Sequence, residues 1–456
     1  MASSFTVADH QELASNQLAR RQLARAVVAA TIGTTIEWYD TILYALVVAF
    51  AIGPLFFPSR DPFSSALAGF GTLLASFVAR PVGAAIFGSY GDRLGRKYTL
   101  MVTLLLGGLA SCAIGLVPTY GQIGVAAPIL LTLLRVAIGL SLGGEWGGSV
   151  LLSLEWAGRG RRGYWASWPQ VGVPAATALG YAALQASTAI VGPTSYWWWR
   201  LPFIASLLLI GVGFYIRLGI LETPVFSRLL EERRIERRPV IEAFRRNWRE
   251  VASTCFLRMG EQSPALIFST FFLVYASATL HIPLPTIITI SLVASVAGLV
   301  CNPVFGHVSD VFGRRRTFLA GAALMFAFAM PYWLLLGTGQ VVAVLAASVV
   351  AQVVLAVMTG PQAAFIAEAF TGRRRYSGAS IGAGLGAVVS GGLATIVAIR
   401  LFQTFHSTLP IGLYMMACCL VSAVAAMTLR DRARQDLSVE YDEPFAAAPA
   451  PAAGRA

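Results

Sequence analysis

The sequence predicts an all-α membrane protein with twelve transmembrane helices in two six-helix bundles and with both termini in the cytoplasm. Apolar residues make up 56% of the chain and charged residues only 12%, about half the charged fraction of a soluble domain. Apolar runs recur that are long enough to cross a bilayer, which takes roughly 20 residues. A short motif occurs once in each half of the chain, as expected of a duplicated unit.

The apolar runs define the twelve candidate spans and, from them, five regions of the chain. The spans lie near 25–50, 65–90, 98–118, 127–152, 164–187, 198–219, 252–278, 284–306, 317–337, 341–366, 378–401 and 410–429. The regions are a cytoplasmic N-terminal arm at 1–22, the first bundle at 23–219, a cytoplasmic loop at 220–250, the second bundle at 251–430, and a tail at 431–456. The tail becomes rich in alanine and proline and is expected to be disordered.

The placement of basic residues predicts the orientation of the chain in the membrane. The formal net charge is +12, and most of it is concentrated in alternate loops. These loops contain residues 20–25, 93–97, 159–162, 228–249, 314–316, 373–375 and 430–434. The other loops hold little basic charge beyond Arg60 and Arg200. Such asymmetry is the positive-inside pattern, so the basic charge indicates contact with lipid headgroups rather than with nucleic acid.

Cysteine and histidine usage predicts neither a metal nor a cofactor. The five cysteines fall in or beside apolar runs, and no metal-ligand spacing occurs. The four histidines form no nucleophile–base set, which disfavours a membrane enzyme. No sizeable soluble region is present, which disfavours a receptor.

The repeated motif is the most specific local signal in the chain. Gly88-Ser-Tyr-Gly-Asp92-Arg93-Leu-Gly95-Arg96-Lys97 recurs as Gly306-His-Val-Ser-Asp310-Val-Phe-Gly313-Arg314-Arg315. Its glycines let helices approach closely, and its aspartate can pair with a cation or with the positive end of a helix from the other half. We expect a breakable latch that forms when the cytoplasmic side is closed, joined by Glu145 and Glu155. The alternative is an anchor that only fixes loop geometry.

Charged residues inside the spans are costly and indicate function. Glu37 and Asp40 are three residues apart and share one helix face. Counting about 1.5 Å per residue places Asp40 some 20 Å from the cytoplasmic edge and Arg135 roughly 10 Å from the outer edge. In a core about 30 Å thick the two side chains meet at one depth.

This shared depth predicts a proton-coupling site. Protonation of Glu37 or Asp40 would weaken the hold on Arg135, which could then bind an organic carboxylate bidentately. The alternative is a permanent structural ion pair between the two helices.

Other polar residues in the spans are candidate substrate ligands. Arg80 could bind an anion or pair with Glu37, and Arg258 and Glu261 could contact substrate or neutralise each other. Tyr39 and Tyr44 could stack on a ring or only form part of an aromatic core. The remaining candidates, which could donate hydrogen bonds or only pack between helices, are Gln170, Asn302 and Gln362.

Several sequence blocks carry a resemblance to a known family. The first copy of the motif matches the signature of the major facilitator superfamily. The further blocks are Ile36-Glu37-Trp38-Tyr39-Asp40, Ala79-Arg80-Pro81-Val-Gly83, Arg135-Val-Ala-Ile-Gly139-Leu-Ser-Leu-Gly143-Gly144-Glu145-Trp-Gly-Gly148, Trp199-Arg200-Leu-Pro202-Phe203 and Glu222-Thr-Pro224-Val-Phe226. Together they resemble the metabolite:H+ symporter family, which includes shikimate, 2-oxoglutarate, citrate and proline/betaine carriers.

The segment from Pro118 to Pro128 is most similar to the shikimate branch, whereas Thr41 stands where relatives usually have phenylalanine. The resemblance implies a monomeric, proton-coupled symporter of the bacterial inner membrane that imports a small organic anion by alternating access. A carrier of a zwitterionic osmolyte such as proline or betaine is the alternative.

Overall fold

The computed structural model of the chain describes residues 7–59, 62–94, 96–157, 160–192, 194–218, 239–370, 375–433 and 435. These residues form twelve helical segments in the order of the predicted spans. In the first half they are α1 (Val7–Val47, with a π-helical turn at Val48–Ile52 and a last turn at Gly53–Phe56), α2 (Pro62–Leu94), α3 (Arg96–Ile114), α4 (Ala126–Trp156), α5 (Arg162–Val191) and α6 (Leu201–Leu218). A short helix, Tyr120–Ile123, precedes α4.

The second half repeats this plan, with breaks inside two of its helices. Its segments are α7 (Pro239–Leu257, Met259–Leu266, a π-helical turn at Ile267–Phe271, and Phe272–Ala278), α8 (Leu284–Phe312), α9 (Arg314–Gly337), α10 (Val341–Glu368), α11 (Arg375–Gly386, a π-helical turn at Ala387–Gly392, and Leu393–Phe405) and α12 (Leu409–Thr428). Pro264 lies inside α7, where its missing amide proton removes a helical hydrogen bond.

Eight helices in the described part of the chain are long and apolar enough to cross a membrane, or nine if α1, bent by 53°, counts as one span. Helix α6 contains a shorter apolar stretch, Leu201–Ile216. Helix α7 is divided at Arg258, and α5 contains the polar residue Gln170. For α5, α6 and α7 the transmembrane assignment therefore remains a prediction.

Three regions outside the predicted bundles differ from a simple arm, loop and tail. Helix α1 begins at Val7, so most of the predicted arm at 1–22 continues the first span. Residues 219–238 of the predicted loop lie outside the described residues, and α7 already begins at Pro239. In the predicted tail at 431–456, Asp431 and Arg432 hydrogen-bond to the helical domain. Residues 436–456 lie outside the described residues, so the expectation of a disordered tail stays a prediction.

Helices α2 and α4 approach each other so closely that their contact requires glycine. A Cβ atom at Gly139 would collide with the carbonyl group of Ser76, and one at Gly143 with the carbonyl group of Arg80. Small residues permit such contacts between membrane helices. The close approach fixes the backbone of Arg80 against α4.

Helices α5 and α2 of the first half make the main contacts with the second half. Helix α5 packs against α8 and α10, and α2 packs against α11. The Tyr376 hydroxyl of α11 also donates to the carbonyl of Gly144 in α4 at 2.6 Å. We call the end of the molecule with the arginine-rich turns the inner end; the positive-inside pattern predicts that it faces the cytoplasm.

Candidate functional site

A buried ion pair joins α1 and α4. Nη1 of Arg135 lies 2.7 Å from Oδ2 of Asp40, and Nη2 donates to Oδ1 at 3.3 Å. Arg135 is fully buried and Asp40 is only 4% exposed. The Ser111 hydroxyl donates to Oδ1 of Asp40 at 2.6 Å, and the guanidinium lies 3.6 Å from the ring centre of Tyr44. The contact expected from helix depth is therefore present.

This ion pair lies inside the first half rather than between the halves. The Tyr44 hydroxyl shares a hydrogen bond with Thr72 of α2. The Tyr39 hydroxyl donates to the carbonyl of Pro202 at 2.8 Å. Arg135, Tyr39 and Tyr44 are thus held within the first bundle, and the structure does not place them in the cavity described next.

Two adjoining cavities lie between the halves. The larger has a volume of about 790 Å³ and the smaller one a volume of about 330 Å³. Trp38, Trp146 and Arg258 line both. Predicted ligands that line the larger cavity are Gln170, Glu261 and Asn302, and those that line the smaller one are Glu37 and Arg80. Both bundles contribute to each cavity, so these residues can respond to relative movement of the bundles.

Arg258 occupies the junction of the two cavities. Its Nε donates to Oε1 of Gln262 at 3.1 Å, and its guanidinium carbon lies 5.2 Å from the ring centre of Trp146. Glu261 and Glu37 are close enough to interact with it electrostatically. Nε2 of Gln262 has no hydrogen-bond partner among the described residues, so an amide donor also remains for a ligand.

Arg80 presents a second guanidinium to the smaller cavity. It is 6% exposed and lies 4.1 Å from the ring centre of Phe77 and 5.4 Å from that of Trp38. Glu37 interacts with it electrostatically. Its Nε and Nη2 atoms have no hydrogen-bond partner within the described part of the chain. A buried guanidinium with donors left over is suited to an anion.

Polar side chains connect the two halves across the larger cavity. Nε2 of Gln362 donates to Oε2 of Glu261 at 3.0 Å, and Nε2 of Gln170 donates to Oε1 of Gln362 at 3.5 Å. The amide oxygen of Asn302 accepts a hydrogen bond from Thr359. Gln170 belongs to the first half and the others to the second, so this network spans the interface.

A third cavity lies within the first half. Glu37, Asp40 and Glu145 all line it. The Glu145 carboxylate accepts hydrogen bonds from Thr103 at 2.9 Å and from Ser149 at 3.3 Å. The structure therefore places Glu145, which we expected at the latch, in the same cavity as the α1 carboxylates.

The second copy of the repeated motif joins the halves at the inner end. The Asp310 carboxylate accepts from the amides of Gly163 at 2.8 Å and Tyr164 at 2.9 Å. These amides belong to the first turn of α5, which starts at Arg162. The carboxylate thus lies at the positive end of a helix from the other half, the contact expected of this aspartate.

Buried charges surround this contact. Arg314 pairs with Asp310 at 2.7 Å and with Glu368 at 3.3 Å. Arg162 from the first half lies 3.6 Å from the same Glu368 carboxylate. A Cβ atom on Gly306 would collide with Ser167 and Gly163 of α5, so the motif glycine permits the close approach.

The first copy of the motif is described only in part. A Cβ atom on Gly88 would lie 3.3 Å from Cα of Ser377 in α11, and Lys97 Nζ donates to the carbonyl of Leu218 at 2.8 Å. Other residues predicted for the latch lie outside the described residues. They are Gly95 and the side chains of Asp92, Arg93, Arg96 and Glu155.

Four residues at these sites escaped prediction: Ser111, Trp146, Gln262 and Arg162. Arg162 could have been found from a second repeat between the two halves. The segment Arg161-Arg-Gly-Tyr-Trp-Ala-Ser recurs in the second half as Arg374-Arg-Tyr-Ser-Gly-Ala-Ser. Gln262 follows Arg258 by four residues, a helical spacing that places both on one face. Among the described residues no group of three histidine, cysteine, aspartate or glutamate side chains could hold a metal ion.

Comparison with known proteins identifies related sequences over nearly the whole chain. The model of the Major Facilitator Superfamily matches residues 26–370 and 252–452. The inner membrane metabolite transport protein YhjE of Escherichia coli is 31% identical, covering 96% of this chain and 100% of its own. The shikimate transporter of Escherichia coli is 32% identical over 90% of this chain and 95% of its own.

Two further similarities bear on substrate and fold. The proline/betaine transporter of Escherichia coli is 29% identical over 91% of this chain and 85% of its own. The proton:xylose symporter XylE has a similar structure, with a TM-score of 0.70, 13% identity, and coverage of 92% of this chain and 98% of its own. At this identity the structural similarity establishes the fold alone.

Proposed function

We propose that this chain, which belongs to the Major Facilitator Superfamily, imports a small organic anion together with protons by alternating access. The predictions of the major facilitator fold, of a transporter rather than an enzyme, and of a multi-pass location in the bacterial inner membrane are confirmed. The twelve spans and the cytoplasmic termini stay predictions. The substrate class rests on one observation: the guanidinium of Arg258 lies where the two cavities between the halves join.

Arg258 and Arg80 supply the positive charge for an anionic substrate. Both line the smaller cavity, and a guanidinium binds a carboxylate through two parallel hydrogen bonds. Nε2 of Gln262 adds a neutral donor. A carboxylate bound here would contact residues of both halves, so its binding energy could favour a state in which the halves close around it.

Asp40 and Glu37 are the proposed proton carriers. Protonation of Asp40 would remove the charge that holds Arg135 and would weaken the contact between α1 and α4. Glu37 lies on the same helix and lines both the cavity of Asp40 and the smaller cavity between the halves. We therefore assign Arg135 to holding Asp40 rather than to binding substrate.

The Asp310 contact is the proposed latch of the inner end. It links α8 of the second half to the first turn of α5. The two halves must separate there for substrate to leave inward, as in transporters whose halves rock about a central site. Loss of these hydrogen bonds would then accompany each inward opening.

The test is uptake of labelled shikimate and a panel of other carboxylates by energised vesicles, with and without a protonophore. We expect accumulation of at least one acid that the protonophore abolishes. Accumulation should be lost in Asp40→Asn and weakened in Arg258→Gln. Acid uptake that does not respond to the proton gradient would overturn the symport mechanism.

A zwitterionic osmolyte such as proline or betaine is a second candidate, favoured by one observation. The rings of Trp38 and Trp146 and the carboxylate of Glu261 line the larger cavity. Aromatic faces with a nearby carboxylate can bind a substituted ammonium group. Uptake of betaine or proline without uptake of any acid in the same panel would favour this function.

A further inference from the structure

We propose that the segment after α12 is a strap that helps to hold the inner end closed and must be released before it opens. The strap consists of Asp431, Arg432, Ala433 and Gln435. This inference rests on the proposed alternating access, because it concerns the equilibrium between closed and open inner ends. It is carried by hydrogen bonds between the strap and three helices, one of which belongs to the first half.

The first attachment is at the start of α9. The N-cap of α9 is Gly313 with a φ of 97°, so the helix has no capping side chain of its own. Oδ2 of Asp431 accepts from the amide of Arg315 at 3.0 Å. An acidic side chain in this position satisfies a free amide of the first turn and favours the positive helix end. Asp431 thereby serves as the cap that the motif glycine lacks.

The second attachment is at the end of α10. Nη1 of Arg432 donates to the carbonyl of Ala369 at 3.1 Å and lies 3.5 Å from that of Glu368. The last carbonyls of a helix are unsatisfied within the helix and favour a cation. Both of these attachments are to the second half. Within the strap, Oδ1 of Asp431 also accepts from the amide of Ala433 at 3.1 Å, and this hydrogen bond fixes the shape of the strap.

The third attachment crosses to the first half. Nη2 of Arg162 donates to the carbonyl of Ala433 at 3.2 Å and to that of Gln435 at 2.5 Å. Arg162 is 2% exposed and precedes Gly163, one of the residues whose amides bind Asp310. The strap and Asp310 therefore hold the same turn of α5 from two sides.

Opening of the inner end would separate α5 from α8 and α10, and with them from the strap. A hydrogen bond to a charged group, such as those of Arg162 to the strap, changes the ratio of closed to open inner ends by about tenfold or more. The strap carbonyls belong to the backbone and cannot be removed by substitution. The side chains of Asp431 and Arg432, however, anchor the strap to α9 and α10, so their replacement should release the strap while the Arg162 side chain is kept.

The experiment measures the distance between spin labels on the two halves in the full chain. Labels at Tyr98→Cys and Arg316→Cys, exposed on α3 and α9, would report opening in a background without native cysteines. We expect Asp431→Ala and Arg432→Ala each to raise the longer-distance population about tenfold relative to wild type. Arg430→Ala is the matched control, since Arg430 is exposed and directly precedes the strap in sequence.

Each outcome decides the inference. Distances in Asp431→Ala and Arg432→Ala that equal those of Arg430→Ala would overturn the strap, provided that Asp310→Ala shifts the distribution. If Asp310→Ala also leaves the distances unchanged, the result contradicts alternating access at the inner end and, with it, the proposed role of the strap. A shift in the strap variants in a protein that transports neither acids nor osmolytes would support the strap and contradict the proposed function.

Discussion

Two guanidinium nitrogens of Arg135 bind the Asp40 carboxylate inside the first bundle, at 2.7 and 3.3 Å. Arg135 has no exposed surface. Its Nε atom has no hydrogen-bond partner among the described residues. The arginine therefore depends on Asp40 for its compensating charge. Removing only one partner of such a pair leaves a buried charge and is strongly destabilising.

The first prediction concerns this pair. We expect Asp40→Asn to abolish proton-driven accumulation of substrate while substrate exchange across the membrane persists. It should also destabilise the protein by about 3–5 kcal/mol, because Arg135 loses its counter-charge. Uptake in energised vesicles and thermal unfolding in detergent would measure the two effects.

The double variant Asp40→Asn/Arg135→Gln separates stability from coupling. It should recover most of the lost stability, since no uncompensated charge remains, but it should not recover accumulation. Glu37→Gln is the companion variant. If Glu37→Gln loses proton dependence and Asp40→Asn keeps it, the proton carrier is Glu37.

The meeting of Asp40 with Arg135 was predictable because both residues lie on long helices with a fixed rise. Depth follows from counting residues, but the direction in which a side chain points depends on how neighbouring helices pack. For this reason the sequence could not show that Arg135 packs on Tyr44, or that Ser111 donates to Asp40, inside the first bundle. The same limit applies to Tyr39, whose hydroxyl binds Pro202.

The inner end shows the same division between what could and could not be predicted. The contact of Asp310 with a helix end was expected, because acidic groups favour the N-termini of helices. The role of Asp431 was not, since its partner Arg315 is far away in sequence. Polar segments also lack a hydropathy signal, which is why the packed residues after α12 were not predicted.

A second prediction tests the cavity between the halves. Arg258→Gln should raise the KM for a transported acid at least about tenfold, because a charge-assisted hydrogen bond is lost. Accumulation at saturating substrate should remain sensitive to a protonophore, since the α1 carboxylates are intact. Arg400→Gln, at an exposed arginine of α11, is the control. An unchanged KM in Arg258→Gln would remove Arg258 from the substrate site.

A third prediction concerns packing of α2 against α4. Gly143→Ala would place a methyl group against the carbonyl of Arg80. We expect a loss of about 1–3 kcal/mol, the usual cost of overpacking, seen as a lower unfolding temperature. Gly71→Ala on α2 is the matched control, because no atom lies within 4 Å of its added Cβ. Equal unfolding temperatures in the two variants would contradict the close approach.

The last prediction concerns the latch. Asp310→Ala removes the acceptor of the Gly163 and Tyr164 amides and one partner of Arg314. We expect the closed inner end to lose at least about tenfold in population, since these hydrogen bonds involve a charged group. A cysteine at Ser377, which is buried beside Gly88, would report opening through its rate of reaction with a maleimide.

Arg315→Ala distinguishes a latch from a simple loss of charge at the inner end. The Arg315 side chain is exposed, and its amide, which binds Asp431, is kept in the variant. Its maleimide reaction should therefore proceed as in the wild type, while that of Asp310→Ala is faster. Gly306→Ala should resemble Asp310→Ala, because its methyl group would keep α8 away from Ser167 of α5. Equal rates of maleimide reaction in all three variants would contradict the latch and would show that the motif is an anchor that only fixes the turn.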